Sequence, residues 1–289
     1  GSGSLEPVLP WNGERFFVER RVNGLAGDLL GGQRERIARI GAPVDWVLAS
    51  DLARPGLDYK LLVMLSCVQY DEARLRAVRQ LQERAATVLW CYAPGFIADG
   101  SAGVAHMAAL TGFRLQRLAA GPAVINVTAP AQAGLAEMAS LSFGAPYALD
   151  PRFGVNDPAA EPLGVYRDGG QVALAAKTVG RSRSLYCGAS VLPPELLRGL
   201  ARAAGVHIYA ADNDVVDAND SLVLLHTASA GDKTIALPCR ADVVDVYSGV
   251  VLARDVPQFS LHEAAETTRL FYVGEAAEFL GYMAPAYAP

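Results

Sequence analysis

GAPVDWVLAS (41–50), YKLLVMLS (59–66), DEARLRAVRQLQERAA (71–86) and TVLWCYAPG (87–95) follow one another and decide the fold class. Residues 44–49 and 61–65 are short, nearly continuous apolar runs, the pattern of strands covered on both faces. Between the second and third strands the spacing predicts a helix. Leu75, Val78, Leu81 and Ala85 form its apolar face, and Arg76, Arg79, Gln80 and Glu83 its polar one. Asp71 stands where a capping side chain accepts from the first turn. Strand, crossover helix and strand of this length specify a parallel α/β sheet of the flavodoxin-like kind, with helices on both faces. Ligands in such sheets sit at the carboxyl ends of the strands, here residues 66–70 and 91–95.

Outward from this unit, residues 15–19 read as a first strand. A helix carries Leu29, Leu30, Ile37 and Ile40 and stops at Gly41, with Pro43 beyond. Residues 104–110 form a short helix closed by Thr111-Gly112. Residues 113–149 are Ala-rich and ambiguous, with a strand at 123–127. Residues 163–167, 171–178 and 183–188 read as three strands, the first two joined by Asp168-Gly169-Gly170. Pro193-Pro194-Glu195 opens a helix that ends near Gly205 and delivers a strand at 206–210. Beyond it, strands at 221–227, 234–237, 243–247, 249–253, 259–262 and 267–273 are separated by turn chemistry. That spacing predicts an antiparallel sandwich or small barrel. The expected organisation is a tag and linker over 1–13, an α/β domain over 14–210 and a β domain over 211–289.

Composition bounds the function. The chain has 289 residues, 52% apolar and 19% charged, enough for two buried cores. With a formal net charge of −5 and dispersed basic residues, nucleic acid and anionic membrane are not expected partners. No apolar stretch reaches about 18 residues, so no membrane span is expected. Cys67, Cys91, Cys187 and Cys239 show no paired spacing, which points to buried thiols and a reducing, cytoplasmic compartment.

Candidate sites follow from these strands. Cys91 lies at a strand end before a turn, as an elbow nucleophile does, but its neighbours are Trp90 and Tyr92 rather than glycines. A thiol nucleophile needs a histidine steadied by a carboxylate. His207, in an apolar stretch, is a weak partner for Cys91 because no carboxylate follows two residues on. His106, His226 and His262 are too scattered for metal spacing, so neither a metal nor a cofactor is expected. Asp212, Asp214, Asp217 and Asp220 lack the calcium-loop arrangement and read as a solvated inter-domain turn. Tyr70, Trp90, Tyr92, Phe96 and Asp99 form a possible ligand-facing rim with the aromatic surface that sugar stacking requires.

Several phrases together carry a family resemblance: RERIARIGAPVDWVLASDL, LDYKLLVMLS, TVLWCYAPGFI, HMAALTGFRL, SLYCGASVLPPELLRGLARAAGVHIYA and DSLVLLHTASAGDKTIALP. Over residues 14–273 the chain is similar to the non-catalytic C-terminal half of bacterial family 42-like glycoside hydrolases. The nearest part of it is the β-galactosidase trimerisation domain. The resemblance implies a domain like class I glutamine amidotransferases but without their catalytic residues, then a small β domain, both following a barrel that bears the catalytic carboxylates. No catalytic residue carries over. Cys91 falls near the amidotransferase nucleophile strand, yet the surrounding glycines and the His-x-Glu partner are missing. The expected function is therefore accessory: oligomer contacts, or shaping the active site of an upstream barrel. A carbohydrate-binding module and a Cys91-dependent hydrolase or amidase are the alternatives.

Overall fold

The computed structural model describes residues 25, 27–48, 51–52, 54, 58–65, 67–83, 86–129, 134–139 and 141–283. The expected strand at 15–19 lies outside them, as do Ser66 and Ala85.

A π-helical turn at Gly27–Gly32 runs into α1 (Gln33–Ala38). Leu29, Ile37 and Ile40 are buried, as their spacing requires. The stop is stereochemical. Gly41 has φ +82°, and a Cβ there would stand 1.7 Å from the carbonyl oxygen of Ala210, so glycine alone fits. Its own carbonyl accepts from the Tyr209 N–H at 2.7 Å.

The run at 44–49 is not a strand over its described residues 44–48. Trp46 is 55% and Leu48 71% exposed, and the segment enters no ladder. Apolar sequence favours extended backbone but does not supply a partner edge. Here the local contacts are Asp45, which accepts from the Tyr59 hydroxyl at 2.9 Å, and Trp46, under the Arg34 guanidinium. The sheet begins instead at β1 (Leu61–Met64), followed by α2 (Glu72–Gln82) and β2 (Thr87–Cys91). Asp71 caps α2 as expected, its carboxylate accepting from the Arg74 N–H at 2.8 Å. Leu75, Val78 and Leu81 are buried.

After a small ribbon of β3 (Ile97–Ala98) and β4 (Ser101–Ala102) comes α3 (Val104–Thr111). The ambiguous Ala-rich stretch holds β5 (Leu115–Leu118), β6 (Gly121–Val127) and β7 (Ser142–Leu149). Then follow β8 (Arg152–Val155), β9 (Glu161–Tyr166), β10 (Val172–Val179) and β11 (Ser182–Cys187). Seven of these strands make one sheet in the order β1-β2-β11-β10-β9-β6-β7. Only β1, β2 and β11 pair parallel; the ladders β11·β10, β10·β9, β9·β6 and β6·β7 are antiparallel. The sheet is thus mixed α/β rather than the expected parallel one. Tight turns at 168–170 and 179–182 reverse the chain where a parallel sheet needs crossovers.

α4 (Pro194–Ala203) starts at its proline and buries Leu196, Leu197 and Leu200. Residues 206–210 form no strand; their backbone bonds instead to Gly41 and, through Tyr209, to Ala236. The remainder is β12 (Val215–Ala218), β13 (Leu222–His226), β14 (Gly231–Asp245), β15 (Val251–Glu263), β16 (Thr268–Gly274) and α5 (Ala276–Met283). The five strands form one antiparallel sheet, β12-β13-β16-β14-β15, where the sequence spacing predicts a sandwich or barrel. Runs expected as separate strands merge into the long β14 and β15, whose register shifts between Ala236 and Ala241. Pro238, which has no N–H to donate, lies within that irregularity.

Two hydrophobic clusters result. One extends from Leu29 to Leu200; the other runs from Ala210 to Phe271 and includes Val216, Leu225, Ile235 and Val243.

Candidate functional site

The carboxyl ends of β2 and β11 lie side by side, with Cys91 in register with Cys187. Tyr92 follows with φ +59°, a left-handed conformation that costs a bulky residue energy and persists only where its surroundings hold it. Its N–H donates to the Cys187 carbonyl at 2.8 Å, and its carbonyl accepts from the Tyr186 hydroxyl at 2.7 Å. Its hydroxyl donates to the carbonyl of Pro151. The ring packs 5.9 Å from that of Phe153, which also stands 5.0 Å from Phe96. Behind it the Tyr166 hydroxyl lies 2.8 Å from the Phe153 carbonyl and 3.1 Å from that of Gly188. A Cβ on Gly188 would meet that hydroxyl at 2.1 Å, so the approach requires glycine.

This edge is packed. Trp90 is 0% exposed and donates through Nε1 to Ser184 at 3.0 Å; Tyr70 and Tyr92 are buried, and Phe96 is half-buried. Asp99 is exposed, in a turn with φ +50°. Of the five rim residues, Tyr92 and Phe96 pack around Phe153, Tyr70 and Trp90 are buried, and the Asp99 carboxylate alone stands exposed.

Cys91 and His207 are not brought together. The His207 ring packs edge-on to Tyr209 at 4.6 Å, and its Nε2 lies 3.0 Å from the Ala236 carbonyl on β14. Burial pushes the Cys91 thiol well above its ordinary range and Cys187 up to about 12. Burial likewise raises the Tyr92 phenol to about 12. A thiol held neutral is a poor nucleophile. All four cysteines are free, and Cys239 is exposed. A thiol reagent near neutral pH is accordingly expected to label Cys239 first, with Cys91 and Cys187 reacting only after unfolding. Mass-spectrometric mapping of the modified peptides checks this, and rapid modification of Cys91 in the folded protein would revive the nucleophile reading.

The remaining histidines serve local pairs: His106 with Ser101 at 3.0 Å, His226 with Thr268 at 2.8 Å and His262 with Asp232 at 2.7 Å. Among the described residues, no three His, Cys, Asp or Glu side chains are grouped to hold a metal ion. No helix among them is long and apolar enough to cross a membrane.

The acidic cluster departs from its sequence reading. Asp214 is 1% exposed, so it is no part of a solvated turn. It lies 2.8 Å from the buried Lys233 ammonium and accepts from the Ala228 N–H at 2.7 Å. Nothing local marks Asp214 out from Asp212 or Asp217; its cation comes from β14.

Sequence reasoning also passed over Arg198, on the buried face of α4. Its guanidinium donates to the carbonyls of Ile40 at 3.1 Å and Arg39 at 3.0 Å, to Glu137 at 3.2 Å and to the Asn213 side chain. It thereby satisfies carbonyls just past the end of α1 and ties that segment to Asn213, just before β12. An arginine inside the LPPELLRGL pattern was the available signal.

No family model matches the chain, and no curated protein matches it. Solved structures do. A polyextremophilic β-galactosidase from the haloarchaeon Halorubrum lacusprofundi aligns with a TM-score of 0.58 at 17% identity, over 87% of this chain and 36% of its own. A GH42 β-galactosidase from G. stearothermophilus, as its E323A catalytic mutant, gives 0.56 at 14% identity over 83% and 35%. An α-L-fucosidase from Paenibacillus thiaminolyticus gives 0.54 at 13% identity, over 84% of this chain and 44% of its own. The chain has a fold found within larger glycoside hydrolases. More particularly, it shares the fold of one region of GH42 β-galactosidases and spans about a third of their length, in agreement with the resemblance in its sequence.

Proposed function

We propose that this chain is a non-catalytic accessory and assembly region of a carbohydrate-active protein, an amidotransferase-like α/β domain joined near residue 210 to a β domain. The observation that carries this reading is coverage: most of the chain aligns with only about a third of each β-galactosidase. On this reading the region packs against a catalytic domain or against further copies of itself. The packed carboxyl edge of β2 and β11 supports the same reading, because the Cys91 thiol there is buried and held neutral while His207 is bonded elsewhere.

The test is multi-angle light scattering on the purified chain, together with assays on chromogenic galactosides. The expected result is a symmetric homo-oligomer that hydrolyses none of them. A strict monomer that also fails to associate with a supplied GH42 barrel would overturn the proposal, as would turnover abolished by Cys91→Ala.

A further inference from the structure

The geometry points to a second site, remote from the carboxyl edge: a groove at the amino-terminal edge of the mixed sheet that binds a tetrahedral oxyanion carried on a small polyol, such as a hexose phosphate or sulfate. The groove is open to solvent, has a volume of about 490 Å³ and is lined by Glu161, Lys177, Thr178, Arg181 and Arg183, with Ser182 and two alanines. That volume falls within the range of small-molecule clefts. It leaves room beyond a bare oxyanion for a carrier of hexose size.

Register assembles the site. Thr178 pairs with Arg183 across β10 and β11, and Ala176 pairs with Glu161 across β10 and β9, so all four project from one face. The turn at 179–182 adds Arg181, whose backbone N–H is fixed by the Gln82 carbonyl at 3.0 Å. Its side chain makes no ion pair among the described residues.

Charge selects the ligand. The whole chain carries 25 basic and 30 acidic residues, yet this lining holds three basic residues and one acid. Lys177 is committed, its ammonium 2.8 Å from both Asp157 and the Gly112 carbonyl. The two guanidiniums are not. Arg183 meets Glu161 at 3.7 Å with both side chains 43% exposed, well beyond the distance of a charge-assisted hydrogen bond. Planar guanidinium forks match the oxygens of phosphate and sulfate, and Thr178 adds a hydroxyl. An oxyanion between Arg181 and Arg183 displaces only a loose, solvated pair.

Isothermal titration at fixed ionic strength, with a hexose phosphate, a hexose sulfate, inorganic phosphate and the neutral hexose, tests the assignment. One equivalent of hexose phosphate or sulfate is expected to bind, inorganic phosphate to compete more weakly, and the neutral hexose to give no saturable heat. Arg181→Ala and Arg183→Ala should each weaken binding by about tenfold or more. Glu161→Gln should tighten it, a gain that misfolding does not produce, and Arg76→Ala on α2 should leave it unchanged. Absence of saturable binding by every oxyanion, or affinity unaltered in both arginine variants, would sink the proposal. Inorganic phosphate binding as tightly as the hexose phosphate would remove the polyol carrier. The oligomeric state, measured separately, has no bearing on any of these outcomes.

Discussion

Arg198→Ala is expected to lower the unfolding free energy by about 3–5 kcal/mol, since two backbone carbonyls lose their donor at about 1–3 kcal/mol each. Arg198 is itself buried, and its loss leaves the carbonyls of Arg39 and Ile40 without their donor at the end of α1. Glu137 would keep only Arg202. Asn213, held at φ +59°, would retain its bond to Glu195 of α4 at 2.7 Å but lose the one from Arg198. The damage should therefore spread to both hydrophobic clusters. Urea titration followed by tryptophan fluorescence and by far-UV circular dichroism checks this. All three tryptophans, Trp11, Trp46 and Trp90, lie in the first hundred residues, so fluorescence reports the α/β part and dichroism the whole. Arg198→Lys, which keeps the charge but has no planar fork, should recover only part of the loss. A variant within about 0.5 kcal/mol of the parent, the range of ordinary surface substitutions, would show that the network contributes little.

The second large effect is expected at Lys233. Lys233→Met leaves the Asp214 carboxylate buried opposite an apolar side chain, at a cost of about 3–5 kcal/mol. The consequence should stay near the five-stranded sheet, since Lys233 lies on β14, Asp214 immediately before β12, and Ala228 and Ser229 between β13 and β14. Dichroism should then show an early transition that tryptophan fluorescence does not follow. The double variant Asp214→Leu/Lys233→Met should recover most of the loss, because two buried charges have been replaced together. It should not recover all of it, because the Ala228 N–H loses its acceptor, a penalty of about 1–3 kcal/mol. Strict additivity of the two single substitutions would show that the pair is not coupled.

What could be read from the sequence is what neighbouring residues decide. The Asp71 cap needs only the N–H three residues on. The α2 face needs only a period of 3.6, and the proline start of α4 only the fixed φ of Pro194. The turn at 168–170 likewise announces itself through consecutive glycines. Residues 44–48 show where such signals stop: their apolar composition favours extension, but a strand also needs an unpaired edge in reach, and the sequence does not locate one. The same limit applies to the candidate site. Cys91, Tyr92 and Trp90 were correctly placed at a strand end, yet whether that end opens into a cleft depends on Phe153, Tyr166 and Tyr186 arriving from three other strands.

By itself, then, the order of residues determined four of the five α-helices, most of the strands and the resemblance to a region of glycoside hydrolases. Tertiary structure alone decided that four of the six ladders of the seven-stranded sheet are antiparallel, that Asp214 is buried while other aspartates of its cluster face water, and that Arg198 joins segments 158 residues apart. The reason is physical. Local conformation follows from sterics and periodicity within a few residues, whereas the burial of a charge or the direction of a strand depends on which distant groups can satisfy it.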